Sequence, residues 1–486
     1  MDDLIKRSTG LELAAQTTPL PVVFSPEGIP LFLPRGLSPT FLRMRWMSVI
    51  IACLSILPLA TSLRAIGEGH PKSFVVRVTD QDSGRPVPLV EFRTTHQARY
   101  VTDNAGVITV ADPELLGREV WFHITSHGYE VPKDGFGNRG KRLLLEPGGE
   151  AVVKIKRLNI AERLYRITGA GRFDHSLRAG LEVPDQDTAE RSGVFGCDSV
   201  LNAVYRGRLF WIWGDTNAAH YPLGNFHSTG ATSTLAARGG RDPDAGIDLE
   251  YYTDARKSFV NEIAHLPGEG PTWLTGLTSL RDKDGGEHLV ANYQKVRKFL
   301  DVYETGLCEF DDKDEVFKKV MTFAPKQKLV PRGHPFRYED KDGHAWILYG
   351  DPLPTMKIRA SYEAWKDPSH YMAATATSDF ADQKTGKRVQ PHRGSIAWND
   401  HRRRWTMIFT EQKAGGDTSR LGEVWYAEAH SPFGPWNRCV KVATHRHYSF
   451  YNPKQHPYFA RKEGEEARYL YFEGTYTKTF SRAAVA

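Results

Sequence analysis

The chain has 486 residues, 40% of them hydrophobic, 25% charged and 11% aromatic, with a net charge of +6. The apolar fraction suffices for large packed cores and excludes global disorder, the length suggests several domains of about 100–200 residues, and so small a surplus of positive charge argues against a nucleic-acid partner. The 43 glycines, 11 tryptophans and 20 tyrosines point to turn-rich β structure.

The first feature along the chain is an apolar stretch of 13 residues, Ser48-Val-Ile-Ile-Ala-Cys-Leu-Ser-Ile-Leu-Pro-Leu-Ala60. Arg43 and Arg45 precede it, and small residues follow at Ala60, Ser62 and Ala65. Basic, apolar and small segments in that order are those of a signal peptide, and the stretch is short for the ~20 residues that span a bilayer. Residues 1–66 are therefore expected to be a leader, with the signal-like segment at 44–65 and the start of translation at Met44 or Met47. A secreted or periplasmic protein follows, without membrane insertion; the alternative is an uncleaved anchor at 48–60. Without residues 1–66, which hold six basic and four acidic groups, the net charge is +4. Cys53 lies in the leader, leaving Cys197, Cys308 and Cys439 without a CxxC pair. Neither a zinc ribbon nor a thioredoxin motif is present, and three buried, inert thiols are expected.

Residues 67–160 alternate with period two in short runs: Ser73-Phe-Val-Val-Arg-Val-Thr, Leu89-Val-Glu-Phe-Arg, Val107-Ile-Thr-Val, Val120-Trp-Phe-His-Ile and Ala151-Val-Val-Lys-Ile-Lys. Turn signals at Asp82-Ser-Gly84, Asp103-Asn-Ala-Gly106 and Pro147-Gly-Gly149 divide them. This spacing predicts a small β-sandwich. Val78-Thr-Asp, Gly84-Arg-Pro-Val-Pro, Thr102-Asp-Asn-Ala-Gly106 and Gly128-Tyr129 make the segment resemble transthyretin-like, carboxypeptidase-regulatory-type domains. That resemblance implies a spacer in front of a catalytic or binding module. His96, His123 and His127 form no ligand group by spacing and read as surface or edge residues.

Residues 161–486 carry a degenerate repeat. Five apolar strands end in a polar residue: Leu209–Asp215, His288–Gln294, Ala345–Asp351, Trp405–Glu411 and Ala467–Glu473, with the polar ends 79, 57, 60 and 62 residues apart. Each follows a more polar strand across a charged or glycine-containing turn. Such units are the blades of a propeller. The fold class is thus all-β, a small β-sandwich followed by a five-bladed β-propeller. The last blade is incomplete, and Leu164–Thr168 is expected to close it.

Ligands of a propeller sit over its central channel. In an antiparallel hairpin the start of the first strand lies beside the end of the second. Counting back 17 positions from the polar ends reaches Asp198, His334 and His456; in the fourth unit it reaches Gly394, two residues after His392. Blade two offers only neutral residues at Leu274–Thr278. Asp198, His334, His392, Glu411, His456 and Glu473 are therefore the candidate catalytic groups. Asp215, Lys295, Arg332, Asp351, Arg393 and Tyr451 are candidate substrate contacts. Asp215 and Asp351 also suit loop capping, which leaves Glu411 and Glu473 for proton transfer. Trp211, Trp213, Tyr293 and Tyr451 could stack on sugar rings.

With these residues the region resembles five-bladed propeller glycosidases of the arabinanase and fructosidase type. It is still more similar to exported bacterial propeller proteins with Trp213-Gly-Asp-Thr216 in blade one and Tyr451-Asn-Pro-Lys-Gln-His-Pro457 near the last. The resemblance implies a carbohydrate ligand and makes Asp198 the first glycosidase carboxylate, as base or nucleophile. The later carboxylates are not matched, because His334 and Gly394 stand there. A glycoside hydrolase is the first expectation. The alternatives are a uronate lyase using a histidine with Arg332 or Arg393, and a sugar-binding propeller without turnover. No cofactor is implied. A metal held by the three histidines and Asp198 lacks any HxH or HxxxH pair.

Overall fold

The computed structural model describes residues 72–184, 193–225, 227–253, 259–413, 419–445, 449–461 and 465–477. The leader, its signal-like segment and Cys53 lie outside them. Among the described residues no helix is long and apolar enough to cross a membrane.

The sandwich forms from two four-stranded sheets. One orders Val107–Val110, Phe74–Asp80, Glu150–Arg157 and Tyr129–Glu130; the other orders Arg99–Val101, Glu91–Thr94, Glu119–Thr125 and Gly140–Leu144. Alternate residues of Phe74–Asp80 are buried. They meet Phe92, Phe122, Ile124, Val153 and Ile155 in one core, as period-two side chains of facing sheets must. The first and last strands pair in parallel, Val75 opposite Glu150.

Five further sheets follow. Blade one is built on Gly196–Tyr205 and Arg208–Ala218, blade two on Thr272–Arg281 and Glu287–Arg297, and blade three on Phe336–Glu339 and Ala345–Gly350. Blade four is built on Pro391–Asn399 and Arg404–Gln412, blade five on Ser449–Gln455 and Phe472–Thr477. Blades one to four continue outward into third and fourth strands. The hairpin turns are set locally. Asp282 accepts the amides of Asp284 and Gly286, and Asp340 those of Asp342 and His344, the same side-chain-closed turn in blades two and three.

The inner strands share one irregularity that builds the ring. Each carries, near its start, a residue in the left-handed region: Ser199, Gly276, Gly333, Arg393 and Asn452. In blades two, four and five the register shifts there, a bulge that bends the strand and lets neighbouring blades approach. The Gly276 amide donates to the Gly333 carbonyl, and the Gly333 amide to Thr275 Oγ1. Asp351 takes the Gly394 amide at 2.8 Å and Arg393 at 2.5 Å. Ser395 joins Pro453 and Gln455, and Asn452 joins Ser199. Ser228 joins Thr272, which closes the circuit of five blades.

Blade five departs from the expected register. Ala467–Tyr471 is not its second strand: Glu465–Arg468 forms a 3-10 turn, and the returning strand is Phe472–Thr477. Leu164–Thr168 adds no strand either. Tyr165 and Ile167 instead pack on the cluster of Trp211, Trp213 and Phe459, and the Ala161 amide donates to the Val442 carbonyl. The sandwich covers this side of the short blade. Asn159 exchanges hydrogen bonds with Thr444, Arg85 pairs with Asp244 at 2.6 Å, and His127 meets Tyr476 OH at 2.5 Å. His127 is therefore a seam residue rather than a surface one. A cavity of about 880 Å³ runs along the seam and reaches Ser199 and Thr475. Cys197, Cys308 and Cys439 are free thiols; burial pushes Cys197 and Cys439 up to about 12 and Cys308 well above its usual value.

Two outcomes follow for stability. A Cβ at Gly276 would strike the Pro331 carbonyl oxygen, whereas Gly285, also at positive φ, faces open space. Gly276→Ala is expected to cost about 2 kcal/mol or more and Gly285→Ala at most about 1 kcal/mol in denaturant unfolding; equal losses would contradict the close approach. Between blades two and three, His288 lies 3.0 Å from Asp282 and 2.5 Å from Glu309, and stacks on Tyr362 at 3.9 Å. Burial disfavours its charge, but the two carboxylates outweigh that and raise its pKa. A raised histidine contributes stability below its unfolded value, near 6.5, and loses it as pH climbs through the folded value. His288→Gln is thus expected to lower the melting temperature more at pH 6 than at pH 9, and a deficit constant across that range would refute the coupling.

Candidate functional site

The bulges define which residues are equivalent at the rim. The residue before each left-handed position is Asp198, Thr275, Arg332, His392 or Tyr451. In blade one the register is as expected, with Asp198 directly opposite Asp215. In blade four His392 faces Thr410, and Glu411 faces Pro391. Glu411 is half-buried beside exposed Arg420 at 3.5 Å.

Asp198 is held by three donors. Tyr451 OH reaches Oδ2 at 2.5 Å, while Ser199 Oγ and Thr475 Oγ1 reach Oδ1 at 2.9 and 3.1 Å. Asp215 is placed differently. Burial, then the charge of Asp198, push its carboxyl up to about 6 against one hydrogen bond from Trp273. Its Oδ1 is buried with no hydrogen-bond partner. Two carboxylates on adjacent strands thus have opposed environments, one saturated with donors and one starved of them. Such a pair can divide proton-accepting and proton-donating roles.

Other expected groups lie elsewhere. Glu473 pairs cross-strand with Lys454, at the start of the returning strand rather than its end. It therefore sits away from the rim and binds His456 Nε2 at 3.0 Å. His456 is 3% exposed, packed between Trp211 and Phe459, with Nδ1 3.3 Å from Asn202. His334 is also buried, deeper than Arg332 on blade three; desolvation, then the charge of Lys454, push its pKa down to about 3. Lys295 is fully buried, donating to Leu266 O, Gly270 O and Thr272 Oγ1, which removes it from ligand contact. Asp351 and Arg393 staple blade three to blade four. Arg332 is exposed. Trp211, Trp213 and Tyr293 are at most 3% exposed, so they are core rings and not stacking platforms. Tyr451 is half-buried against Asp198.

Sequence reasoning passed over Trp273, Thr475 and Lys454. Lys454 lay inside the quoted Tyr451–Pro457 motif, while Trp273 and Thr475 carried no signal except their nearness to bulges. Two groups among the described residues could hold a metal, His227 with Glu262 and His265, and Asp340 with Asp342 and His344. Neither includes the channel histidines.

No family model matches the chain, and no curated protein does. Solved structures do. An exo-β-1,3-galactanase from Phanerochaete chrysosporium is 10% identical, with a TM-score of 0.34 over 54% of each chain. A family 43 glycoside hydrolase from Bacillus licheniformis is 12% identical, with a TM-score of 0.33 over 59% of this chain and 69% of that one. An exo-β-1,3-galactanase from Clostridium thermocellum is 10% identical, with a TM-score of 0.33 over 56% and 54%. The match spans about half the length of the galactanases. The propeller itself is established by the ring of inner strands.

A raised carboxyl pKa means that the folded chain binds a proton the unfolded chain has lost, so stability falls as pH rises from about 4 through about 6. Asp215→Asn is therefore expected to raise stability at pH 8 by about 1–2 kcal/mol after screening, and to change it little at pH 4. Loss of stability at pH 8 would remove the basis for a proton on Asp215.

Proposed function

We propose that this protein is a carbohydrate-active enzyme of the glycoside hydrolase type, working at the rim of the propeller. The observation that carries this reading is the Asp198–Asp215 pair, opposed across one hairpin and differing in environment. Asp215 is the general acid that protonates the leaving oxygen, and its unpartnered Oδ1 is the atom that holds the proton. Asp198 is the base or nucleophile, oriented by Tyr451, Ser199 and Thr475. The two-carboxylate chemistry of glycosidic cleavage needs such a division of roles. A histidine-driven lyase is less well supported, since His334 is pushed down to about 3 and His456 is tied to Glu473. We read the sandwich as a transthyretin-like spacer and the leader as an export signal, which suits an enzyme meeting polysaccharide outside the cytoplasm.

Incubation with a panel of neutral and acidic polysaccharides tests the reading. Reducing ends are expected without unsaturated-uronate absorbance. Asp198→Asn and Asp215→Asn should each lower the rate by about 10²–10⁴-fold. Rates that persist in both variants, or absorbance rising with the reducing ends, would overturn the assignment.

A further inference from the structure

Below the rim lies a buried ammonium, Lys454, on which only the charge of Glu473 is seen to act among the described residues. Lys454 is 8% exposed, and among the described residues its side chain finds no ion pair or hydrogen bond. Glu473, its cross-strand neighbour, lies 3.0 Å from His456 Nε2, and its charge acts on Lys454 without a hydrogen bond to it. Gln455, next in the strand, turns to blade four and bonds Ser395 and Thr406. Alternation therefore turns Lys454 away from that wall. The charges that bear on His334 are those of Lys454, Asp351, His456 and Arg393, drawn from blades three, four and five. His334 is itself 8% exposed, with no hydrogen bond to its ring among the described residues.

A buried ammonium without an acceptor is costly. Burial, opposed by the charge of Glu473, pushes Lys454 down to about 8, which still leaves it mostly charged at neutral pH. On blade three the exposed Arg332 lies two residues before His334 and is likewise without an ion pair among the described residues. The opposite wall, blade one, carries Asp198 and Asp215. Blade one thus brings acid groups to the mouth, and blade three the exposed Arg332. A neutral sugar would leave the ammonium unsatisfied, whereas a carboxylate on the sugar ring would satisfy it through a charge-assisted hydrogen bond.

We propose that the substrate is an acidic glycan, and that Lys454 and the His334 imidazole receive the carboxylate of a uronic acid residue beside the scissile bond, with Arg332 at the mouth drawing the charged chain inward. The position of the scissile bond rests on the hydrolase reading; the carboxylate receptor does not.

Titration calorimetry on the full chain with D-glucuronate, D-galacturonate, D-glucose, D-galactose and inorganic phosphate tests it. The uronates are expected to bind about tenfold or more tightly than the neutral sugars and than phosphate. Lys454→Met should abolish that preference, with its melting curve recorded as a check on folding. Arg332→Ala, at an exposed position, should weaken uronate binding several-fold and leave neutral sugars unaffected. Equal affinity for acidic and neutral sugars, no measurable uronate binding, phosphate binding as tight as the uronates, or a preference that survives in both variants would overturn the proposal. Uronate binding without hydrolysis of any polysaccharide would sink the hydrolase reading and leave this one standing. Hydrolysis of neutral polysaccharides without uronate preference would do the reverse.

Discussion

The hydrogen bonds converging on the Asp198 carboxylate are the point on which the molecule closes. A propeller must join its last blade to its first, and here the joint is made by side chains rather than by a shared strand. Tyr451 and Thr475 of blade five both donate to Asp198 of blade one, and the Ser199 amide returns a bond to Thr475. The group that closes the ring is also the one we propose as base or nucleophile. A carboxylate held by three donors costs little reorganisation when charge develops beside it.

That closure places demands on the rest of the fold. Blade five has two strands among the described residues, too few for independent stability. The sandwich and the segment after it take over the work of the missing outer strands, through Asn159, Arg85, His127 and the buried faces of Tyr165 and Ile167. The N-terminal domain is thus part of the propeller's wall, which explains why the two fall in one compact unit from Pro71 onward. A spacer would need only a tether; the sandwich shares a hydrogen bond with blade five.

Much of the fold could be read from the chain because its causes are local. The strands of the sandwich, the apolar second strands of blades one to four and their Asp- and Gly-containing turns follow from period-two burial and turn chemistry, both visible within ten residues. The site was legible where the hairpin is regular. In blade one the 17-residue offset is a true cross-strand pair, Asp198 with Asp215. In blade five the same offset joins His456 to Glu473, which are neighbours across the wrong end of the hairpin. The cause is the long 3-10 connection at Pro457–Phe459 and Glu465–Arg468, which a count of residues does not see. In blade four a bulge shifts the register and in blade three the left-handed Gly333 precedes the strand, so Arg332 and His392, not His334 and Gly394, are the equivalents of Asp198.

Composition, alternation and turn residues by themselves determined an all-β chain, a sandwich before a propeller, and blade one's carboxylates as neighbours. Only the tertiary structure decided that Trp211, Trp213 and Tyr293 are core and that Lys295 is buried. It likewise decided that Glu473 lies beside His456 and that Lys454 is buried without a hydrogen bond or ion pair among the described residues. The division is physical: alternation and turns act between residues close in sequence, whereas burial and partner choice depend on how five blades, three of them bulged, meet around one axis.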